Sequence, residues 1–367
     1  MMFFTIIILC VYFATILLLI FGFTKVKNFD TIGIKPKTTF TIVVPFRNEA
    51  ENLPILLESI SKMNYPMDLF EVILVDDDSE QVFSPQYSVF SVQLIENIRK
   101  SNSPKKDAIT TAMEVAKNDW IITTDADCKV PKNWILSLDN YIQNYDVKMI
   151  AGAVTYQTNR SFLHHFQQLD LASLQGATIG SFGIKKGFMC NGANLAYAKT
   201  FFQNLNGFEG NDQIASGDDV FLLQKAITPF PEKVHYLKSK NNIVSTKPLN
   251  EWKSLFYQRV RWASKTTSYQ STFGKILGLI VFTGNLVLVL SFGLWVIGLM
   301  LSLHIFLLFF SKFIIDSILI YRTNQFLTKT KIRYLALSSL LYPFFSVSVA
   351  LYSLFGKYEW KGRRFSK

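Results

Sequence analysis

Cysteine is scarce. Cys10, Cys128 and Cys190 are the three thiols in 367 residues, an odd and scattered set. That excludes a disulfide framework and a thiolate metal site, and it fits a reducing compartment. Cys128 follows two aspartates but has no base beside it in sequence, so it is expected to pack and not to attack. Histidine is almost as rare, with four in the chain. The adjacent pair His164 and His165 point apart on a helix, so packing or surface positions are expected of them, not metal ligation. Charge is thin as well. Charged residues make up 18% of the chain, below the roughly one quarter of a soluble domain. Acid is the thinner sign: 27 Asp and Glu against 38 Lys and Arg, a formal charge of +11. The basic surplus sits beside apolar runs, as in anchors at an anionic membrane face, so nucleic acid is not expected as a partner. Internal repeats and low-complexity tracts are also lacking.

Apolar residues fill the space that charge leaves. They reach 49%, and the mean hydropathy is +0.22. Residues 1–24 carry no charge and are long enough to span a bilayer. With no basic leader and no small-residue cleavage site, the run is expected to be an anchor. Lys25, Lys27, Lys35 and Lys37 follow it, which places the next segment on the cytoplasmic side. From Phe40 the pattern changes. "FTIVVP", "EVILVD", "VQLI", "WIITTD" and "MIAGAV" are short β-branched runs, and "NLPILLESISKM" and "SPKKDAITTAMEVAKN" read as helices between them. Such alternation predicts an α/β fold with a mainly parallel sheet, whose ligands sit beyond the carboxyl ends of the strands. The expected boundaries are an anchor at 1–24, a catalytic domain at 38–248, an amphipathic interfacial helix at 249–272, about three membrane helices in 275–356, and a basic tail at 357–367.

The chemistry-bearing residues cluster where strands end. Asp125 and Asp127 follow "WIITT" at spacing i, i+2, which points both carboxylates to one side of an extended chain. Paired hard oxygens suit Mg²⁺ or Mn²⁺ completed by substrate phosphates. Alone, the pair reads equally as a solvated turn. "VILVDDDSE" ends a second strand in Asp76, Asp77 and Asp78, and "TIVVPFRNEAENL" ends a third in Pro45, Arg47 and Glu49. In "NSPKKDAI", Ser103 and Pro104 start a helix and Lys105 stands in its first turn. A cation opposes the helix dipole there, unless a diphosphate lies beside it. Asp218 and Asp219 open an apolar helix in "SGDDVFLLQKA", where capping is the plain alternative. Gln258, Arg261 and Trp262 share one face of the aromatic and basic helix "NEWKSLFYQRVRWASK", with Trp252, Phe256 and Tyr257 left over for lipid.

In this order and at these intervals the motifs resemble the membrane-bound family 2 glycosyltransferases, which have a GT-A-type nucleotide-sugar domain. The resemblance rests on "VVPFRNE", "VILVDDDS", "KKDAITTA", "TTDADC", "GDD" and "QRVRW" and covers about residues 40–265. It implies that Pro45, Arg47 and Glu49 border the nucleotide, that Asp76 and Asp77 read base and ribose, and that Lys105 lies near the phosphates. It implies Asp125 and Asp127 as the metal pair, with Asp127 the direct ligand, and Asp219 as general base. Gln258, Arg261 and Trp262 match the Q-x-x-R-W element beside acceptor and diphosphate. "CNGANLAY" looks like the segment lining the donor sugar. Two departures stand out: Asp78 where the family often has Gly, and Asp218 where it often has Glu.

The resemblance implies inverting transfer from a nucleotide diphosphate sugar, with UDP the expected nucleotide, to a lipid or lipid-linked glycan. The site is expected on the cytoplasmic face, in a bacterial inner membrane and in cell-envelope synthesis. A processive polysaccharide synthase is the alternative, and a non-catalytic membrane scaffold a more distant one. Two crossings are expected between Ile276 and Ile320 with a turn near Gly298, and Lys312 and Asp316 pair within the second. A third crossing at Tyr334–Phe355 would leave the basic tail outside. A break at Pro343 would turn that run into a hairpin instead.

Overall fold

The structure is a computed structural model that describes all residues except 1, 31–32, 82, 85–89, 213, 215, 356–357, 361–362 and 366–367. The chain divides into two units. One holds Lys27–Gln157 and Met189–Lys247; the other holds Met1–Val26, Thr158–Phe188 and Pro248–Lys367. The expected catalytic stretch 38–248 is therefore interrupted by Thr158–Phe188, which groups with the apolar helices.

The first unit is built on a sheet of seven strands. In chain order they are β1 (Phe40–Phe46), β2 (Phe70–Asp76), β3 (Ser91–Glu96), β4 (Trp120–Thr123), β6 (Met149–Gly152), β8 (Leu195–Ala198) and β9 (Val234–Leu237). Their order in space is β3-β2-β1-β4-β8-β6-β9. β8 runs antiparallel to both neighbours and the remaining pairs are parallel. β1 and β2 are apolar almost residue by residue, as strands covered on both faces must be, and Val43, Ile73 and Ile122 are fully buried. Helix α2 (Leu53–Ser61) buries Leu53, Leu56, Leu57 and Ile60, one stripe of an amphipathic helix. Each such side chain contributes about 2 kcal/mol. Helix α3 (Pro104–Val115) buries Ala108, Ile109, Ala112 and Met113 on its own stripe. The chain builds outward from β1 to β3, then returns to lay β4 on the other side of β1. That reversal opens a crevice at the carboxyl ends of β1 and β4.

All five runs expected as strands are strands. "MIAGAV" is two of them, because the chain changes sheets at Ala153. β7 (Val154–Tyr156) pairs with β10 (Val244–Thr246), which also pairs with β5 (Cys128–Lys129). This second sheet places Thr246 opposite Cys128, next to the paired aspartates.

The other unit is helical: α1 (Met2–Lys25), α5 (Phe162–Gly183), α8 (Trp252–Ser264), α9 (Thr272–Val296), α10 (Ser302–Leu327) and α11 (Leu335–Phe355). Four of them, α1, α9, α10 and α11, are long and apolar enough to cross a membrane. The turn after α9 falls at Gly298, whose φ is +78°. Lys312 and Asp316 form the expected i, i+4 pair, and Tyr12 of α1 donates to Asp316 at 2.7 Å. A buried pair of this kind satisfies charges that lipid cannot. The hairpin expected as one option at Pro343 does not form, and α11 runs unbroken through it. Proline removes one backbone bond, and apolar helices packed by neighbours tolerate that loss. The tail retains a short antiparallel ladder between Tyr358–Trp360 and Arg363–Phe365. Residues 357, 361–362 and 366–367 of the expected tail lie outside the described residues.

Candidate active site

Three strand ends and one helix start carry the acidic groups. β1 ends at Phe46 opposite Asp76 at the end of β2. Arg47 then turns across to β2, where its guanidinium donates to the Asp77 carbonyl at 2.8 Å and the Asp78 carboxylate at 2.9 Å. Asp78 itself has φ +64°, the left-handed conformation that explains the glycine common there. Asp76 accepts from the Ser79 backbone N–H at 3.0 Å and hydroxyl at 2.6 Å. Asp77 is buried and accepts from Asn97 at 2.7 Å and Arg99 at 3.4 Å. Glu49 anchors the turn into α2 through Asn52.

The same loop after β3 leads to Lys105. Asn97 also donates to the Pro104 carbonyl at 3.0 Å, which ties the Asp77 cluster to the first turn of α3. Lys105 reaches from that turn to Asp125 at 2.7 Å and Asp218 at 3.4 Å. Burial pulls the ammonium down, but Asp125, Asp218 and Asp219 together outweigh it and hold it above its ordinary range. Asp127, two residues on, accepts from the Thr246 hydroxyl at 3.1 Å. Cys128 is fully enclosed. Burial raises its thiol, and Asp127 and Asp125 raise it further, so it stays protonated.

The third cluster joins α7 (Asp218–Ile227) to the turn Gly192–Asn194. Asp219 Oδ2 accepts from the Gly192 N–H at 2.8 Å, and its Oδ1 accepts from the Val220 N–H at 2.7 Å. A Cβ on Gly192 would stand 3.0 Å from the Asp218 carboxylate and 3.2 Å from the Lys105 ammonium, so any larger residue would press on the tips of both side chains. Asn194 supports the turn from behind. It accepts from the Trp134 indole at 2.9 Å and donates to the carbonyls of Ala153 and Asn242. Pro45, Arg47, Glu49, Asp76 and Asp77 thus lie at the ends of β1 and β2. Lys105, Asp125, Asp218 and Asp219 lie round Gly192, and Asp127 stands beside Thr246.

Gln258, Arg261 and Trp262 belong to the helical unit, where all three are half-buried on α8. The aromatics expected to be spare for lipid also make ring contacts there, with Trp252 still 42% exposed. Trp252 packs on Phe162 and Phe166, Phe256 on Phe345 and Tyr352, and Tyr257 on Tyr352. Helical spacing alone could not distinguish a lipid face from a face covered by α5 and α11.

Among the described residues no three His, Cys, Asp or Glu form a cage for a metal ion. The donors present are instead two carboxylates on one loop, with Asp125 42% exposed at its side chain. That set fits a hard divalent cation held by one or two carboxylates and completed by phosphate oxygens. Several members of the site carry no signal in the sequence. Asn97 and Thr246 are ordinary turn or strand residues until the fold brings them to Asp77 and Asp127, and Asn194 lies in the run "CNGANLAY" without its own role being marked there. Arg99 alone had a positional hint, as a cation just past a strand end.

Residues 41–204 match the model of the glycosyl transferase family 2. This stretch, a little under half of the chain, carries a family 2 glycosyltransferase domain. Over 121 residues, 29% of this chain and 35% of the relative, it is 33% identical to undecaprenyl-phosphate 4-deoxy-4-formamido-L-arabinose transferase of Pectobacterium atrosepticum. Over 123 residues, 32% of this chain and 39% of the relative, it is 24% identical to glycosyltransferase AglE of Haloferax volcanii. The matched stretches span between 35 and 44% of the length of such curated relatives. A mannosyltransferase of Pyrobaculum calidifontis, solved with GDP-Man and Mn²⁺, shares the fold of the transferase domain and its flanking helices. The TM-score is 0.61 at 16% identity, over 96% of this chain and 98% of that one.

Proposed function

We propose that the chain transfers a sugar from a nucleotide diphosphate sugar, with UDP the first choice, to a lipid or lipid-linked glycan, with inversion, at the cytoplasmic membrane face. The observation that carries this reading is the set of groups round Gly192, where Lys105, Asp125, Asp218 and Asp219 meet at the switch point of the sheet. Arg47, Asp76 and Asp77 form a floor for base and ribose. Lys105 offers its charge to the diphosphate. Asp125 and Asp127 would hold Mg²⁺ or Mn²⁺, which neutralises charge on a leaving diphosphate when bound. Where the acceptor is a hydroxyl of a lipid-linked glycan, Asp219, oriented by two backbone N–H groups, takes its proton as the new bond forms, a contribution of about 10²–10⁴-fold; a lipid phosphate attacks through its anionic oxygen and has no such proton to give up.

A lipid acceptor is supported by the four apolar helices and by the polyprenyl phosphate in the names of the bacterial relatives. One anchor and three further helices suit delivery of one sugar, or a few, better than extrusion of a polymer. The test uses purified full-length protein in nanodiscs with undecaprenyl phosphate. UDP-glucose, UDP-N-acetylglucosamine, UDP-galactose and GDP-mannose are offered in turn with Mn²⁺ or Mg²⁺, and nucleotide release is measured. Release with a glycolipid product is expected from at least one UDP donor. Release from GDP-mannose alone would overturn the choice of nucleotide. Release with no glycolipid would overturn the acceptor class, and no release from any donor would overturn the reading itself.

A further inference from the structure

Arg259 sits inside the Q-x-x-R-W run but is not one of its named positions. Its side chain is 6% exposed. Its Nε donates to Oδ2 of Asp170 on α5 at 2.5 Å. Its Nη1 donates to the Gln258 amide oxygen. Its guanidinium carbon lies 4.2 Å from the centroid of the Trp262 ring. Tyr342 of α11 faces the same Asp170 carboxylate. One buried cation therefore touches a carboxylate on a neighbouring helix and two of the three Q-x-x-R-W side chains.

A buried ion pair is a weak source of stability. Removing both ions from water offsets most of their attraction, and apolar residues of equal volume often serve as well. It does fix direction. A guanidinium is a rigid planar fork that hydrogen-bonds in its plane and stacks on aromatic faces, and here it does both. Lysine on the same stem offers a point charge without either constraint.

We infer that the Asp170–Arg259 pair is the positioning device of the Q-x-x-R-W element. Asp170 locks the guanidinium, and the guanidinium sets the Gln258 amide and the Trp262 ring in the orientation that transfer requires. Arg259 itself touches neither donor nor acceptor. The inference rests on the proposed sugar transfer and on what the family resemblance implies for Gln258 and Trp262, that they serve acceptor and diphosphate.

The test uses the full chain in nanodiscs, with the nucleotide release assay above and 5-fluorotryptophan ¹⁹F NMR, the Trp262 line being assigned with Trp262→Phe. Asp170→Leu/Arg259→Met exchanges the buried pair for apolar volume, so its melting temperature should stay near wild type. Its kcat should fall on the order of 10²-fold while donor KM changes little, and the Trp262 line should broaden or split. Arg259→Lys should be intermediate in kcat. A double variant with wild-type kcat and an unchanged Trp262 line would overturn the inference. So would a loss confined to thermal stability. Trp262→Ala separates the two levels. If it transfers sugar normally, the reading of the Q-x-x-R-W element fails. If it is inactive while the double variant is normal, the positioning inference alone fails.

Discussion

The two units treat buried charge in opposite ways. In the α/β unit the acids gather at strand ends, partly open, and share one lysine among Asp125 and Asp218. In the helical unit Arg259 pairs with Asp170 of a neighbouring helix, and Lys312 pairs with Asp316 one turn along α10, where Tyr12 of α1 also donates. Carboxylates crowded round one ammonium at the end of a sheet suit a cation or a proton from outside. Charges matched within the fold hold geometry and have little left to offer a substrate. The first arrangement marks chemistry, and the second marks assembly.

The largest effects should come from breaking the first arrangement. Asp127→Ala should abolish turnover while folding and membrane insertion persist, and EDTA should do the same to the wild-type protein. Near-wild-type, EDTA-resistant transfer by the variant would contradict the metal role. Asp219→Asn should lower kcat by at least about 10²-fold with little change in donor affinity. A normal kcat with weak donor binding would make Asp219 a ligand and not a base.

The strand ends were legible because a buried parallel strand reads as an unbroken apolar run, so an aspartate closing it stands out. β1, β2 and β4 were found this way, with Asp76 and Asp125 at their ends. The long apolar helices α1, α9 and α10 were legible from hydropathy and length. α5 was not. "FLHHFQQLDLASLQGATIGSFG" is too polar for a span and lacks a stripe, because it is buried on nearly all sides by other helices. Gly180 and Gly183 face α1, Gly176 faces α10, and its Asp170 is matched to a residue 89 positions away. No local pattern encodes such a partner. Asn194 was in view within "CNGANLAY", but its partners Trp134, Ala153 and Asn242 were hidden for the same reason, since they meet it only in the folded chain.

Structural variants should sharpen the contrast with smaller effects. Asn194→Ala takes the side-chain partner from the Trp134 indole and the Asn242 carbonyl, while Ala153 keeps the Val244 N–H, and should cost about 3 kcal/mol in a denaturant titration. Gly183→Ala puts a methyl on the Gly22 carbonyl oxygen and forces α1 away from α5. It should cost about 1–3 kcal/mol in thermal unfolding yet leave UDP binding by calorimetry unchanged. A collapse of UDP binding in that variant would erase the distinction between the units.

The smallest effects concern protons. Lys105 is held above its ordinary value, so it contributes fully below about pH 10 and loses that contribution only as pH rises through the higher folded value. The melting temperature difference between wild type and Lys105→Met should therefore stay flat from about pH 6 to pH 9. A step in that window would show the lysine deprotonating. Cys128, raised by burial and by the two aspartates, should resist iodoacetamide at about pH 8 by mass spectrometry of the intact protein. Rapid alkylation would show an open loop after Asp127.

The stereochemistry of the product tests the central claim most directly. Asp219 acting as base beside the Lys105 cluster allows direct attack on the donor sugar and demands inversion at the anomeric carbon. Proton NMR of the released glycolipid, compared with the α-linked donor, should show the β configuration. An α-linked product would contradict the account, because it would require a nucleophile on the far face of the sugar.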